Sequence, residues 1–137
     1  MIMPYLSFQG NCEEAFLWYQ KIFNGQIEHL ARYEEIGNSL ELTADQKKQI
    51  MHGQLKLTDT GYISGSDSFR PVSAGNTLTI HVHLPDEKSA NNVFDALATE
   101  GVILSPLATN PPPDNHGISG SVTDKFGFTW IVSALKN

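Results

Sequence analysis

The sequence predicts an α+β fold built from one module that occurs twice within 137 residues. In each half, a short apolar run leads into a helical pattern that ends at a glycine, and further strand-like runs follow. Aligning the halves places equivalent positions on one another: Gly25 on Gly101, and Leu6 and Phe8 on Val82 and Leu84. Such internal repetition indicates a duplicated unit. We therefore expect a single domain of two repeated modules, about 1–68 and 76–137, whose sheets face each other across a cleft.

The composition favours a soluble globular protein of the cytoplasm. Apolar residues make up 40% of the chain and charged residues 18%, which is ordinary for a folded domain. The net charge of -6, with only nine Lys and Arg, argues against nucleic acid or an anionic membrane as a partner. The single cysteine, Cys12, cannot form an internal disulfide. The sequence shows no basic-then-apolar pattern and no long apolar run, so we expect neither a leader nor a membrane span. We expect Cys12 to be structural rather than reactive.

The first half is predicted to contain two helices among its strands. Asn11 is a candidate N-cap for the first helix, and Thr43 is one for a short second helix to about Ile50 inside an irregular insertion that begins at Glu34. The facing of the strand Gln26 to Tyr33 stays open, because polar residues lie on both of its sides. The remaining predicted elements are a strand from Met3 to Phe8, the first helix to Asn24-Gly25, a strand from Met51 to Asp59, a turn at Thr60-Gly61, and a strand from Tyr62 to Gly65.

The second half repeats this order with one helix. Gly101 is the predicted cap at the end of that helix. The prolines between Asn110 and Gly117 have no amide hydrogen to donate, so that segment is an exposed loop. The predicted elements are a strand from Thr77 to Leu84, a helix from Asp86 to Glu100, and strands from Val102 to Leu107, Ile118 to Thr123 and Phe128 to Ser133.

Several motifs resemble one known family. They are Pro4-Tyr5-Leu6-Ser7-Phe8-Gln9-Gly10-Asn11-Cys12-Glu13-Glu14-Ala15-Phe16, Phe23-Asn24-Gly25, Met51-His52-Gly53, and Thr123-Asp124-Lys125-Phe126-Gly127-Phe128-Thr129-Trp130-Ile131-Val132. The chain resembles the PhnB-like (3-demethylubiquinone-9 3-methyltransferase-like) branch of the glyoxalase/bleomycin resistance/dioxygenase superfamily, also called the vicinal oxygen chelate superfamily.

The resemblance implies paired βαβββ modules that form a curved sheet around a cavity, and a homodimer. It also brings out a difference, because many members carry an aromatic-Gly-x-Arg-Phe-Gly segment where this chain has Pro111 to Ile118, without the Arg. No Gly-rich turn of the kind that binds nucleotides follows a strand, although a methyltransferase would usually need one.

The alternation of the strands predicts which side chains line the cavity. If the apolar faces pack under the helices, the opposite faces carry polar and aromatic residues. His81 and His83 are two apart on one strand, with Cα atoms about 6.5 to 7 Å apart, and can converge on one ion or share a proton-transfer role. The cavity residues expected are Tyr5, Ser7, His52, Gln54, Thr79, His81, His83 and Trp130, although a tryptophan in a final strand is more often part of the core.

Three functions remain open from these residues. The first is a small-molecule-binding protein with no tightly bound metal and no other cofactor. The second is an enzyme that uses His52, His81 and His83 as a divalent metal site or as proton-transfer groups. The third is a dimeric interaction module. The metal reading lacks a carboxylate ligand at a fitting position, so we expect His52, His81 and His83 to share one cavity face and to hold no tightly bound metal.

Overall fold

The computed structural model describes residues 1–36 and 41–137, so the part of the predicted insertion at 37–40 lies outside the described residues. The chain forms two compact units, Met1–Ser73 and Ala74–Asn137. Each unit contains one four-stranded sheet, and each repeats the order strand, helix, three strands. The α+β class and the paired βαβββ modules are therefore confirmed.

The first unit has the sheet order β1-β4-β3-β2, with β1 parallel to β4 and the other pairs antiparallel. A 3-10 turn at Tyr33–Ile36 follows β2, and the predicted cap Thr43 forms a full capping box with Gln46. The elements are β1 (Tyr5–Phe8), α1 (Cys12–Phe23), β2 (Gln26–Arg32), α2 (Ala44–Lys48), β3 (Ile50–Lys56) and β4 (Tyr62–Asp67).

The second unit has the equivalent order β5-β8-β7-β6, again with the first strand parallel to the last. Its elements are β5 (Ile80–His83), α3 (Glu87–Ala98), β6 (Val102–Thr109), β7 (Gly117–Thr123) and β8 (Thr129–Leu135). The strand predicted from Thr77 is shorter than expected. Leu78 is 87% exposed and lies before β5, so it is not part of the core.

Each core lies between one sheet face and its helix. Buried positions alternate along β1, β5 and most of β7. The helices contribute their apolar stripe. The largest buried side chains of the first unit are Phe16, Tyr19, Ile50, Leu55 and Ile63, and those of the second are Leu97, Val122, Trp130 and Val132.

Each long helix is followed by a left-handed residue and then a glycine, but the left-handed residue is the C-cap itself in α1 and lies one position beyond the extended C-cap Thr99 in α3. Asn24 and Glu100 take left-handed backbone conformations with φ of 52° and 59°. The glycine that follows each of them packs against a strand, where a Cβ atom would press on the carbonyl oxygen of Lys56 or Thr123. Gly101 is therefore needed for close approach rather than as the left-handed cap that the sequence predicts.

The first helix is capped by a distant residue. Asn11 occupies the N-cap position, but its side chain makes no capping hydrogen bond. Asp67, at the end of β4 and 1% exposed, accepts hydrogen bonds from the amides of Gly10 (2.8 Å), Cys12 (3.0 Å) and Ile50 (2.8 Å). One buried carboxylate thus joins the start of α1 to the start of β3.

Among the described residues, no helix is long and apolar enough to cross a membrane.

Candidate functional site

A cavity of about 550 Å³ lies within the second unit. Two exposed histidines of β5, the cavity face of β8 and the proline-rich loop before β7 form its walls. Its volume is in the range of small-molecule sites. The lining residues are His81, His83, Asn110, Pro111, Pro112, Pro113, Asp114, Gly117, Ile118, Ser119, Ile131, Ser133, Ala134 and Leu135.

The polar centre of this cavity is a chain of three side chains, His81–Ser133–His83. Nε2 of His81 lies 2.8 Å from Oγ of Ser133, and Nδ1 of His83 lies 2.9 Å from the same oxygen. Parallel pairing of β5 with β8 places Ser133 directly opposite His83 and Ile131 opposite His81. The facing of both histidines is tied to the core, because Val82 and Leu84 alternate with them and are buried.

The loop that forms the opposite wall is held by its own hydrogen bonds. Asn110 Nδ2 donates to Asp114 Oδ2 (3.1 Å), and the hydroxyl of Ser119 donates to Asn110 Oδ1. The backbone closes on itself through Asn110 N–H to Gly117 O (2.9 Å) and Gly117 N–H to Asp114 O (3.2 Å). The consecutive prolines therefore present an apolar wall that is fixed at both ends.

The exposed face of the first sheet carries an aromatic group of its own. Tyr5 OH lies 3.3 Å from His52 Nδ1, and the two rings stack with centroids 5.7 Å apart. The His29 ring lies 5.6 Å from that of His52, and Gln54 donates a hydrogen bond to Glu28 (3.0 Å). Tyr5, His52 and Gln54 thus share one sheet face, as the alternation predicts.

Trp130 is the candidate residue that the structure removes from the site. Its side chain is fully buried, and its indole Nε1–H donates to Asp124 Oδ2 at 2.8 Å. The expectation that Trp130 lines the cavity is wrong because neighbouring residues of a strand face opposite sides of the sheet. The cavity face of β8 is formed by Ile131 and Ser133 instead. The pairing of β8 with β5 would have identified them, but the sequence alone does not show that pairing.

The unit boundary separates the three histidines. His81 and His83 belong to the second unit, and His52 belongs to the first. The expectation that all three share one cavity face stays a prediction.

The described residues do not fit a resident metal ion. Within residues 1–36 and 41–137, no three His, Cys, Asp or Glu side chains are grouped so that they could hold one. Nε2 of His81 and Nδ1 of His83 both bond to the Ser133 hydroxyl. A hydroxyl is a poor ligand for divalent metals beside imidazole or carboxylate.

The lone thiol is also unsuited to chemistry. Cys12 is fully buried at the start of α1. Burial raises the pKa of its thiol well above the ordinary range, and the nearby charges of Asp67 and Glu13 raise the pKa further. The thiolate, which is the reactive form, is therefore strongly disfavoured.

Comparison with known sequences identifies a family. A model of the 3-demethylubiquinone-9 3-methyltransferase family matches residues 1–133. The chain is 28% identical to protein YjdN of Escherichia coli K12, over 98% of this chain and 95% of that protein.

Comparison with solved structures agrees with this family match. Protein PA1353 from Pseudomonas aeruginosa has a TM-score of 0.82 and 28% identity, with 100% of this chain and 98% of that chain covered. A Bacillus cereus PhnB protein, described as a putative 3-demethylubiquinone-9 3-methyltransferase, has a TM-score of 0.76 and 26% identity, with 97% and 98% covered. A glyoxalase/bleomycin resistance protein/dioxygenase family enzyme from Burkholderia phytofirmans shares the fold, with a TM-score of 0.61, 12% identity and 96% of each chain covered.

Proposed function

The chain belongs to the 3-demethylubiquinone-9 3-methyltransferase (PhnB) family, within the glyoxalase/bleomycin resistance fold, and from this premise we propose that it binds a small molecule in the cavity of its second unit. The observation that carries the proposal is the cavity itself, in which apolar walls surround a few convergent polar groups. This combination is typical of ligand sites, where apolar surface supplies affinity and polar groups fix orientation.

The lining also indicates the charge of the ligand. None of the lining residues, all of which the structure describes, is Lys or Arg, and Asp114 contributes a carboxylate. An anionic ligand would find no opposite charge in this wall. We therefore favour an uncharged molecule with an apolar body, which packs on Pro111–Pro113 and Ile131, and a polar group that meets the histidines.

Fragment binding followed by NMR tests this proposal. A set of neutral aromatic fragments is titrated into ¹⁵N-labelled protein, and we expect amide shifts to concentrate at residues 110–119 and 131–135. The double variant His81→Ala/His83→Ala should raise the Kd of the bound fragments at least tenfold, because it removes both imidazoles from the cavity. The matched control is His116→Ala, since His116 is exposed on the same loop but does not line the cavity.

Two results would contradict the proposal. One is that no fragment binds, and the other is that the double variant binds as well as His116→Ala. The same titration with His52→Ala tests the sequence-based prediction that His52 contacts the same ligand. An unchanged Kd in that variant would confine the site to the second unit.

The metal-free state of the site is part of this proposal. The donor set supports it, because Ser133 occupies the position between the two histidines. Elemental analysis of the purified protein should find zinc, nickel and manganese far below one equivalent. A full equivalent that is lost in His81→Ala would replace the binding proposal with a metal-dependent enzyme.

We also propose that the chain forms a homodimer. Strand β6 lies at the edge of the second sheet, and Val102, Ile103 and Leu104 are 52% to 61% exposed along it. An exposed apolar edge strand invites pairing or burial by another chain. Light scattering at micromolar concentration should give the dimer mass, and Ile103→Lys should shift it towards the monomer. A monomer mass for the unmodified protein would contradict the proposal.

A further inference from the structure

The hydroxyl of Ser133 lies between two imidazole rings, and this arrangement restricts how the three groups share hydrogens. A hydroxyl has one hydrogen to donate, whereas each neutral imidazole has one N–H and one acceptor nitrogen. When Ser133 donates to one ring, it can still accept from the other. The outward nitrogens, Nδ1 of His81 and Nε2 of His83, then have opposite roles: one is an acceptor and the other a donor.

The geometry favours movement of hydrogens along this chain. Both heavy-atom distances, 2.8 Å and 2.9 Å, are those of well-formed hydrogen bonds. Ser133 is only 9% exposed, while both histidines are exposed to the cavity. Among the described residues, neither ring makes a further hydrogen bond through its outward nitrogen, so both nitrogens are available to a bound molecule.

We infer that His81, Ser133 and His83 form a proton relay that catalyses the keto–enol interconversion of a neutral carbonyl compound. The inference rests on the proposed binding function, because the compound must first occupy the cavity. Positioned acid and base groups of this kind contribute about 10² to 10⁴ in rate. The acidic and basic groups act together, and the relay returns to its starting charge after each step.

The step balances without a metal or redox partner. Nδ1 of His81 takes the proton from the carbon beside the carbonyl, and the C–H electron pair becomes the C=C bond of the enol. The hydrogen on Nε2 of His81 passes to Ser133 Oγ, and the hydroxyl hydrogen of Ser133 passes to Nδ1 of His83. Nε2 of His83 then gives its hydrogen to the carbonyl oxygen. The two rings end in exchanged tautomers, and the reverse reaction restores them.

The test uses phenylacetone, which is uncharged and has an aromatic body and exchangeable hydrogens beside its carbonyl. Loss of those hydrogens in D₂O is followed by ¹H NMR, with an equal concentration of free imidazole as reference. We expect exchange with the unmodified protein to exceed this reference. Ser133→Ala should lower the rate at least tenfold, since it keeps both histidines but breaks the relay. Ser133→Thr, which restores a hydroxyl, should recover most of the rate, and His116→Ala should leave it unchanged.

Binding is measured separately, by amide shifts of the same samples, so that the two proposals can fail independently. If phenylacetone binds but exchanges no faster than with imidazole, the relay is wrong and the binding proposal stands. If phenylacetone neither binds nor exchanges, the relay is wrong, and the binding proposal is decided by the fragment titration. Equal exchange rates for Ser133→Ala and the unmodified protein would also overturn the relay.

A spectroscopic measurement tests the relay without any ligand. ¹⁵N NMR of the imidazole nitrogens should show different tautomers in the two rings. One ring should carry its hydrogen on the nitrogen that bonds to Ser133, and the other ring on its outward nitrogen. Ser133→Ala should remove this correlation, while circular dichroism confirms that the variant is folded. Hydrogens on the Ser133-facing nitrogens of both rings would contradict the relay, because the hydroxyl would then have no acceptor among them.

Discussion

The two units share an order of elements but stabilise it with buried carboxylates at different places. In the first unit, Asp67 at the end of β4 accepts from three amides that lie 17 to 57 residues away from it in sequence. In the second, Asp124 in the turn between β7 and β8 accepts from Phe126 N–H, Phe128 N–H and the Trp130 indole. The apolar pattern therefore defines the repeated module, while polar groups that complete it are free to differ.

The helix starts show the same contrast. The first long helix depends on Asp67, which is 55 residues from Cys12. The second has a local cap, because Asp86 accepts a hydrogen bond from Ser89 N–H at 2.7 Å. A helix of equal length can thus be started by its own sequence or by a distant strand.

Among the variants that test this contrast, Asp67→Ala should lower the free energy of unfolding most. It leaves three amides without their acceptor in and around the core, and we expect a loss of about 4 kcal/mol in the free energy of unfolding. Urea denaturation measures this loss. Asp95→Ala, on the exposed face of α3, is the control and should change stability by less than about 0.5 kcal/mol. A small loss in Asp67→Ala would mean that water replaces the carboxylate at these amides.

Gly25→Ala and Gly101→Ala test what the two units have in common. A Cβ atom at either position presses on a strand carbonyl that cannot move aside, so each variant should lose about 3 kcal/mol in the same denaturation measurement. Gly75→Ala is the comparison, because a Cβ atom there meets nothing within 4 Å and only its φ of +67° is unfavourable. Unequal losses at positions 25 and 101 would show that the two glycines do not have equivalent roles.

Trp130→Phe tests the carboxylate of the second unit. An aromatic ring is kept, but the smaller side chain leaves space in the core and Asp124 Oδ2 loses the indole N–H in a buried position. We expect about 2 kcal/mol of destabilisation or more. Thermal unfolding followed by circular dichroism is suitable, because the variant lacks one tryptophan fluorophore. Trp18→Phe, at a partly exposed position of α1, is the matched control. Equal effects in the two variants would show that the Asp124 bond contributes nothing.

Asp86→Ala should have the smallest effect, and its effect should depend on pH. Hydrogen bonds from Ser89, the backbone amide first, lower the pKa of Asp86 from its ordinary value of 3.8. Its stabilising contribution is therefore complete above that value and is lost as the pH falls through the lower pKa of the folded state. The stability difference from the unmodified protein should be constant near neutral pH and shrink in acid. Asp86→Asn keeps a cap that does not titrate, and a pH-independent difference for Asp86→Ala would contradict this account.

The sequence predicted the two histidines of the candidate site but not the serine at its centre. Alternation along β5 identified His81 and His83, since a one-residue slip would have exposed Val82 and Leu84. Ser133, Ser119 and Asn110 were missed, because each enters the site through a partner 9 to 52 residues away. Trp130 was misplaced for the same reason, as its facing depends on which residues of β5 and β7 lie beside it.

The sequence by itself determined the duplicated order of strands and helices, the apolar faces and the approximate extent of the long helices. These features follow from the local periodicity of apolar residues and from backbone conformations that depend only on residues close in sequence. Only the tertiary structure decided the cap of α1 by Asp67, the burial of Trp130 on Asp124, and the joining of His81 and His83 through Ser133. Hydrogen bonds of this kind join side chains that come together only when strands pair, and no local pattern specifies which distant partner will be present.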